Sequence, residues 1–161
     1  MLTVDDLMTN GRAMLSAVTN AANQLNFVLP ARRYVTVGGS VYDCPQVTVS
    51  VMHSDAGDIA PGRNPKILVG PCDPTWNVTY EIGIVLTAVE AATGPRGETL
   101  PTTAAIETDT TAMSAAYATL ANALSAISGS VTGPMRGSIM FGQPQGGLIA
   151  VVATITANLW F

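Results

Sequence analysis

Apolar residues recur along this chain with two different periods, and the switches between them mark its elements. From Thr3 to about Asn26, Leu7, Met14, Val18 and Leu25 return near every 3.6 residues, with small Gly11 and Ala21 on the same side. Asn10, Arg12, Asn20 and Asn23 lie opposite. The spacing predicts a helix with one core-facing stripe. Thr3 and Asp6 stand at its start with the spacing of a capping box, and Pro30 ends anything still helical. The period then drops to two. Arg33 to Val37 predicts a short strand stopped by Gly38-Gly39. Gln46 to His53 alternates, with Val47, Val49, Val51 and His53 on one face and Gln46, Thr48 and Ser50 on the other.

Trp76 to Ala91 predicts a long strand. Val78, Tyr80, Ile82, Ile84, Leu86 and Ala88 make an apolar row, and Thr79, Glu81, Gly83, Val85 and Thr87 make a mixed one that is only partly dry. The helical period returns from Thr108 or Asp109, either of which can cap, to Ile127. Met113, Tyr117, Leu120, Leu124 and Ile127 form the stripe, alanines let the helix lie close to a neighbour, and Gly129 is the expected stop. Leu148 to Trp160 is the last strand, with Ile149, Val151, Ala153, Ile155, Ala157 and Leu159 as its buried row. Three loops separate these runs: Ser54 to Thr75, Thr93 to Ala105 and Ser130 to Gly147. The first, with Pro61, Gly62, Pro65, Gly70, Pro71 and Pro74, is unusually long for a small domain. It reads as a projecting arm that orders on contact, with Lys66 to Val69 as a short strand inside it. The order α-β-β-β-α-β predicts a single α+β domain over residues 1–161. Its mainly antiparallel sheet has about four strands, two helices pack on one face, and the long loop lies at 54–75.

Composition adds what the pattern does not. Only 11% of the residues are charged, against roughly a quarter in an ordinary soluble domain. Thr, Ser, Asn, Ala and Gly must therefore cover the surface, which is poor at keeping molecules apart and good at lying against other protein. A net charge of −4 with scattered basic residues argues against a nucleic-acid-binding surface. A mildly acidic wall would still let DNA slide past. The first residues carry acids where a signal peptide needs base. No uncharged apolar run reaches the roughly 20 residues of a membrane span. At about 3.3 Å per residue, a simple hairpin would hold Cys44 and Cys72 on the order of 26 Å apart. A bridge allows roughly 7 Å, so free thiols are expected, and neither cysteine has a zinc spacing.

Catalytic hardware is scarce. His53 stands beside Ser54, Asp55 and Asp58, but triads are assembled from separate segments, so His53 reads as a strand-end residue bonded to loop groups. Asp43, Asp55, Asp58 and Asp73 lack the order of a calcium loop and read as solvated turn carboxylates. Glu81 and Glu90 fall on opposite faces of their strand and make no glycosidase pair. Asn77-Val78-Thr79 matches a glycosylation sequon inside a predicted strand, where chance suffices. Trp76, Trp160 and Phe161 fold back on the core or anchor against another subunit. The expectation is an assembly subunit with no catalytic residue, cofactor or metal.

Several stretches carry a resemblance: the amphipathic N-terminal helix, Gln46 to His53, Trp76-Asn77-Val78-Thr79-Tyr80-Glu81-Ile82-Gly83-Ile84, the late helix with Ile106-Glu107 ahead of it, and Gly142-Gln143-Pro144-Gln145-Gly146-Gly147 leading into the closing strand. In this layout the chain resembles the tail terminator proteins of long-tailed bacteriophages, including those of phages infecting actinobacteria. The similarity is one of architecture over most of the chain. It implies a hexameric ring of identical subunits in the virion tail, assembled in the host cytoplasm. Such a ring stops growth of the tail tube and joins the tail to the head connector. The implied partners are the chain itself, a tail tube protein and a head-tail connector protein, with DNA only passing through the lumen and no membrane. A ring needs two different complementary edges on each subunit. The polar rows of the sheet and the 54–75 arm are the candidate edges, with Arg63, Lys66 and Arg96 pairing a neighbour's Asp55, Asp58 or Asp73. Such pairs set register more than strength.

Two other readings compete. A head-tail connector or stopper, or a tail tube subunit, shares the size, low charge and ring symmetry. A small-molecule binding domain or an enzyme built on His53 predicts a monomer or dimer with a pocket.

Overall fold

The computed structural model describes residues 3–56, 75–89, 92–93, 96, 99–100, 102–130, 135–142 and 147–160. Its two long helices are α1 (Val4–Gln24) and α2 (Thr103–Ser130). Its strands are β1 (Arg33–Val37), β2 (Gln46–Ala56), β3 (Thr75–Thr87), β4 (Ala92–Thr93), β5 (Thr99–Leu100), β6 (Met135–Phe141) and β7 (Leu148–Trp160). The main sheet has five strands in the order β1-β2-β3-β7-β6. β1 and β2 run parallel and every other pairing is antiparallel. The fold is α+β with both helices on one face, as the alternation of periods predicts.

The capping box forms. Asp6 N–H donates to Thr3 Oγ1 at 3.2 Å, and Thr3 N–H donates back to the Asp6 carboxylate at 2.9 Å. The Thr3 hydroxyl donates to the same carboxylate at 2.6 Å, and these bonds hold the Asp6 carboxyl below its usual range. Leu7, Gly11, Met14, Val18, Ala21 and Ala22 are the buried residues of α1. Leu25, expected on the stripe, caps the helix instead and is 42% exposed.

One contiguous core lies between helices and sheet. Val47, Val49 and Val51 meet Val78, Tyr80, Ile82 and Ile84, and beyond them Val151, Ala153 and Ile155. From above come Met14, Val18, Leu120 and Ile127, and Ala116 and Ala123 let α2 sit close. Tyr80 bridges the layers, its buried hydroxyl donating to the Leu7 carbonyl at 3.1 Å. Burial pushes that hydroxyl's pKa up to about 12. The unfolded tyrosine titrates near 10, so the contribution is complete below pH 10 and is lost as pH rises through 12. Urea unfolding between pH 9 and 11 is expected to show stability falling with pH, with a shallower fall in Tyr80→Phe.

Several further local expectations are corrected. The sheet has five strands, because 135–141, read as loop, adds to the free side of β7. A small hairpin of β4 and β5 occupies part of the second loop. Helix α2 starts at Thr103, where Ala105 N–H donates to Thr102 Oγ1 at 3.1 Å. Thr108 lies inside it with its hydroxyl on the Ala104 carbonyl, and Asp109 instead accepts from Val89 N–H beyond β3. At the far end α2 runs through Gly129 to Ser130. Strand β3 stops at Thr87 rather than reaching Ala91.

Another correction is at His53. The ladder slips between Val51 and His53: Val51 pairs with Tyr80, and His53 pairs with Thr79. Met52 is the extra residue of a bulge and stands 41% exposed. A one-residue slip turns every later side chain to the other face. His53 therefore leaves the valine row and joins the outer face. Strand β2 also continues to Ala56, past the predicted loop start.

Candidate assembly surface

Among the described residues, the face of the sheet away from the helices has two regions, one under a strap and one beyond it. The cover arises from the parallel β1–β2 pair. To re-enter the sheet in the same direction, the chain must return along β1, and residues 38–45 do so across the outer face as a strap. Ser40 hydrogen-bonds Ser50, the Tyr42 hydroxyl donates to the Glu81 carboxylate, and Gln46 Nε2 donates to the Val41 carbonyl at 2.7 Å. Beneath the strap Gln46, Thr48 and Ser50 are fully buried, although the row alternates as a polar face. Around Gln46 Oε1 gather the Tyr34 hydroxyl at 3.4 Å and the free thiol of Cys44 at 3.5 Å. Arg32 stacks over the Tyr34 ring, 5.4 Å from its centroid.

Gly83 makes the strap possible. A Cβ there would lie 2.8 Å from the Tyr42 ring and hydroxyl. Burial, and then the bond to Glu81, raise the Tyr42 pKa well above its usual value. Tyr42→Phe leaves the half-buried Glu81 carboxylate without that donor. It is expected to cost about 1–3 kcal/mol and to speed proteolytic cleavage within 38–45, read by urea unfolding and limited proteolysis.

Beyond the strap the outer face carries hydroxyls. Thr79 Oγ1 lies 3.0 Å from Thr156 Oγ1 and 3.4 Å from His53 Nε2. Thr154 and Ser138 are exposed, opposite one another on β7 and β6. Arg136 and Met140 flank Ser138 on the same face of β6, and Met140 is 68% exposed. Where the strap meets β7, Tyr42, Val85, Gly142, Leu148 and Val152 line an open recess of about 300 Å³. On the helix side of the β6 edge, Phe141 and Tyr117 stack with ring centroids 5.4 Å apart, both largely exposed.

Of the six charged residues singled out from sequence, two are among the described residues. Asp58, Arg63, Lys66 and Asp73 lie outside the described residues, as do Cys72 and the 66–69 strand. Asp55 is a residue of β2 opposite Asn77 rather than of a loop. Arg96 is exposed, between β4 and β5. Sequence reasoning missed the strap and β6. A signal for each existed: Ser40 and Tyr42 stand two apart ahead of the Gln46 row, and Met135, Ile139 and Phe141 form a period-two row interrupted by Gly137.

Among the described residues no three His, Cys, Asp or Glu side chains gather to hold a metal ion, and no helix is long and apolar enough to cross a membrane. Comparison with known protein families found no family that matches this chain, and comparison with curated proteins found no match.

Proposed function

We propose that the chain is a structural virion protein, a tail terminator subunit that forms a ring on the head-proximal end of a phage tail tube. The observation that carries this reading is the outer sheet face beyond the strap. It carries exposed Thr154 and Ser138, half-buried Thr156 and buried Thr79, with Met140 exposed among them and Arg136 beside it. A surface free of Lys, Asp and Glu at these positions, with Met140 and Arg136 on it, is suited to lying against other protein. In this role the ring stops tube growth, contacts the tail tube protein below and the head-tail connector protein above, and lets DNA pass through its lumen. The work is steric, with no substrate and no turnover.

The test is the mass of the purified protein by light scattering, with negative-stain images of the same sample. Discrete rings of about six subunits are expected, since closed rings of identical contacts end their own growth. Open-ended tubes would point to a tail tube subunit. A ring that binds a portal-side ring but not tail tubes would make the chain a connector. A stable monomer with an activity lost in His53→Ala would replace the reading with a binding or catalytic one.

A further inference from the structure

The two ends of the sheet are different strands, and their hydrogen-bonding phases can be read from the ladder. In β1, Gly38 N–H donates to the Val51 carbonyl just past the strand, and the Arg32 carbonyl just before it accepts from Val47 N–H. Even-numbered residues of this segment thus bond to β2, and Arg33, Val35 and Val37 aim their backbone N–H and C=O groups away from the sheet. In β6 the same reasoning starts from Gly142 N–H, which donates to the Ala150 carbonyl. Even-numbered residues bond to β7, and Met135, Gly137, Ile139 and Phe141 aim their backbone groups outward.

Direction and face agree with this phase. β1 runs parallel to β2, β2 antiparallel to β3, β3 antiparallel to β7, and β7 antiparallel to β6. The end strands β1 and β6 therefore run in opposite directions. Two copies set side by side in the same orientation bring β6 of one against β1 of the next as an antiparallel pair. The outward-bonding residues of both edges carry their side chains on the helix face: Val35 lies over the Gly11 position, and Ile139 lies opposite Ala153. In an antiparallel pair, hydrogen-bonded residues share a face. The joint thus continues the helix layer on one side and the hydroxyl face on the other.

Among the described residues neither edge is blunted. Natural edges are protected by proline, lysine, bulges or inward charges. β1 and β6 contain no proline or lysine, and the register of each with its neighbour is unbroken. Each holds one arginine, but Arg33 falls on the helix face and Arg136 on the outer face, so the two do not meet across the joint. Val37, Met140 and Phe141 are each more than half exposed along these edges.

We infer that copies of this chain join head to tail by edge-strand pairing, β6 of one subunit antiparallel to β1 of the next, with Val35 opposite Gly137 or Ile139. These are the registers that keep the phase and pair all of β1. The inference rests on the proposed reading of the chain as a self-assembling subunit, and it names the contact that closes the ring. Because the two edges differ, the contact is heterologous, as a ring requires.

The experiment blocks each edge separately. Val37→Pro and Ile139→Pro each remove an outward N–H while leaving the bonds to β2 or β7 in place. Val37→Lys and Met140→Lys place charge on exposed edge positions and keep every backbone group, so they serve where a proline variant fails to fold. Far-UV circular dichroism checks folding, and light scattering reads mass. Each variant alone is expected to be a monomer. An equal mixture of a β1-blocked and a β6-blocked variant is expected to give a dimer and nothing larger, because one intact edge of each kind remains. A dimer from either variant alone would show like edges pairing and would overturn the inference. Rings from every variant would overturn edge pairing while leaving the ring reading in place. A wild-type chain that stays monomeric at the highest attainable concentration would overturn both.

Discussion

Ile82→Ala is expected to lower the unfolding free energy by about 2–5 kcal/mol. Ile82 sits in the central strand of the five, fully buried, between Val49 on β2 and Ala153 on β7. Truncation removes apolar contact and leaves a void between the sheet and the helices. A strand paired on both sides cannot shift to fill it, so the loss should fall near the upper end of that range. Folded domains are stable by only about 5–15 kcal/mol, so this one substitution consumes a large share. Urea unfolding should show a lower midpoint with an unchanged slope. Thr154→Ala is the matched control, on the exposed outer face of the strand that pairs with Ile82, and should change stability by no more than about 0.5 kcal/mol. Equal losses at the two sites would contradict the burial that separates the faces.

Gly11→Leu is expected to cost about 3 kcal/mol, and to lower Tm by about 6–12 °C in a chain of this size. Gly11 faces the sheet at the closest approach of α1. A Cβ built there lies 2.5 Å from Val35 Cγ1 and 3.7 Å from Val49 Cγ1. Val35 is β-branched with few rotamers to yield, so the helix must lift from β1. Gly11→Ala separates two effects: alanine recovers up to about 1 kcal/mol of helix propensity but meets the same valine. Its loss should be smaller than that of leucine. The double variant Gly11→Ala with Val35→Ala should recover part of the loss, measured as a thermodynamic cycle. Additive losses would mean that Val35 is not what limits the approach.

Much of the fold was legible because its signals are local. Leu7, Met14 and Val18 mark α1 by spacing, and the rows of β2, β3 and β7 alternate as buried strands must. What failed shares a different cause. β6 is an edge strand bonded on one side only, and Gly137 interrupts its apolar row, so its period is weak until β7 is there to pair with it. Thr108 and Asp109 resemble caps in sequence, but Thr102 takes that role and the helix starts earlier. The charged interface candidates are a separate matter, since Asp58, Arg63, Lys66 and Asp73 lie outside the described residues. Among the described residues the sheet also presents backbone edges and hydroxyls, which leave almost no mark in a sequence.

By itself the sequence determined the elements that periodicity encodes: two amphipathic helices, the alternating strands and a two-layer α+β arrangement with its apolar rows turned inward. Tertiary structure decided the parallel placement of β1 beside β2, the strap that buries Gln46, Thr48 and Ser50, the bulge at Met52 that turns His53 outward, and the addition of β6 to β7. Each of these depends on a partner distant in the chain. Periodicity reports whether a residue faces a core, whereas strand order, register and the covering of a polar face are set only when the partner strand supplies its hydrogen bonds.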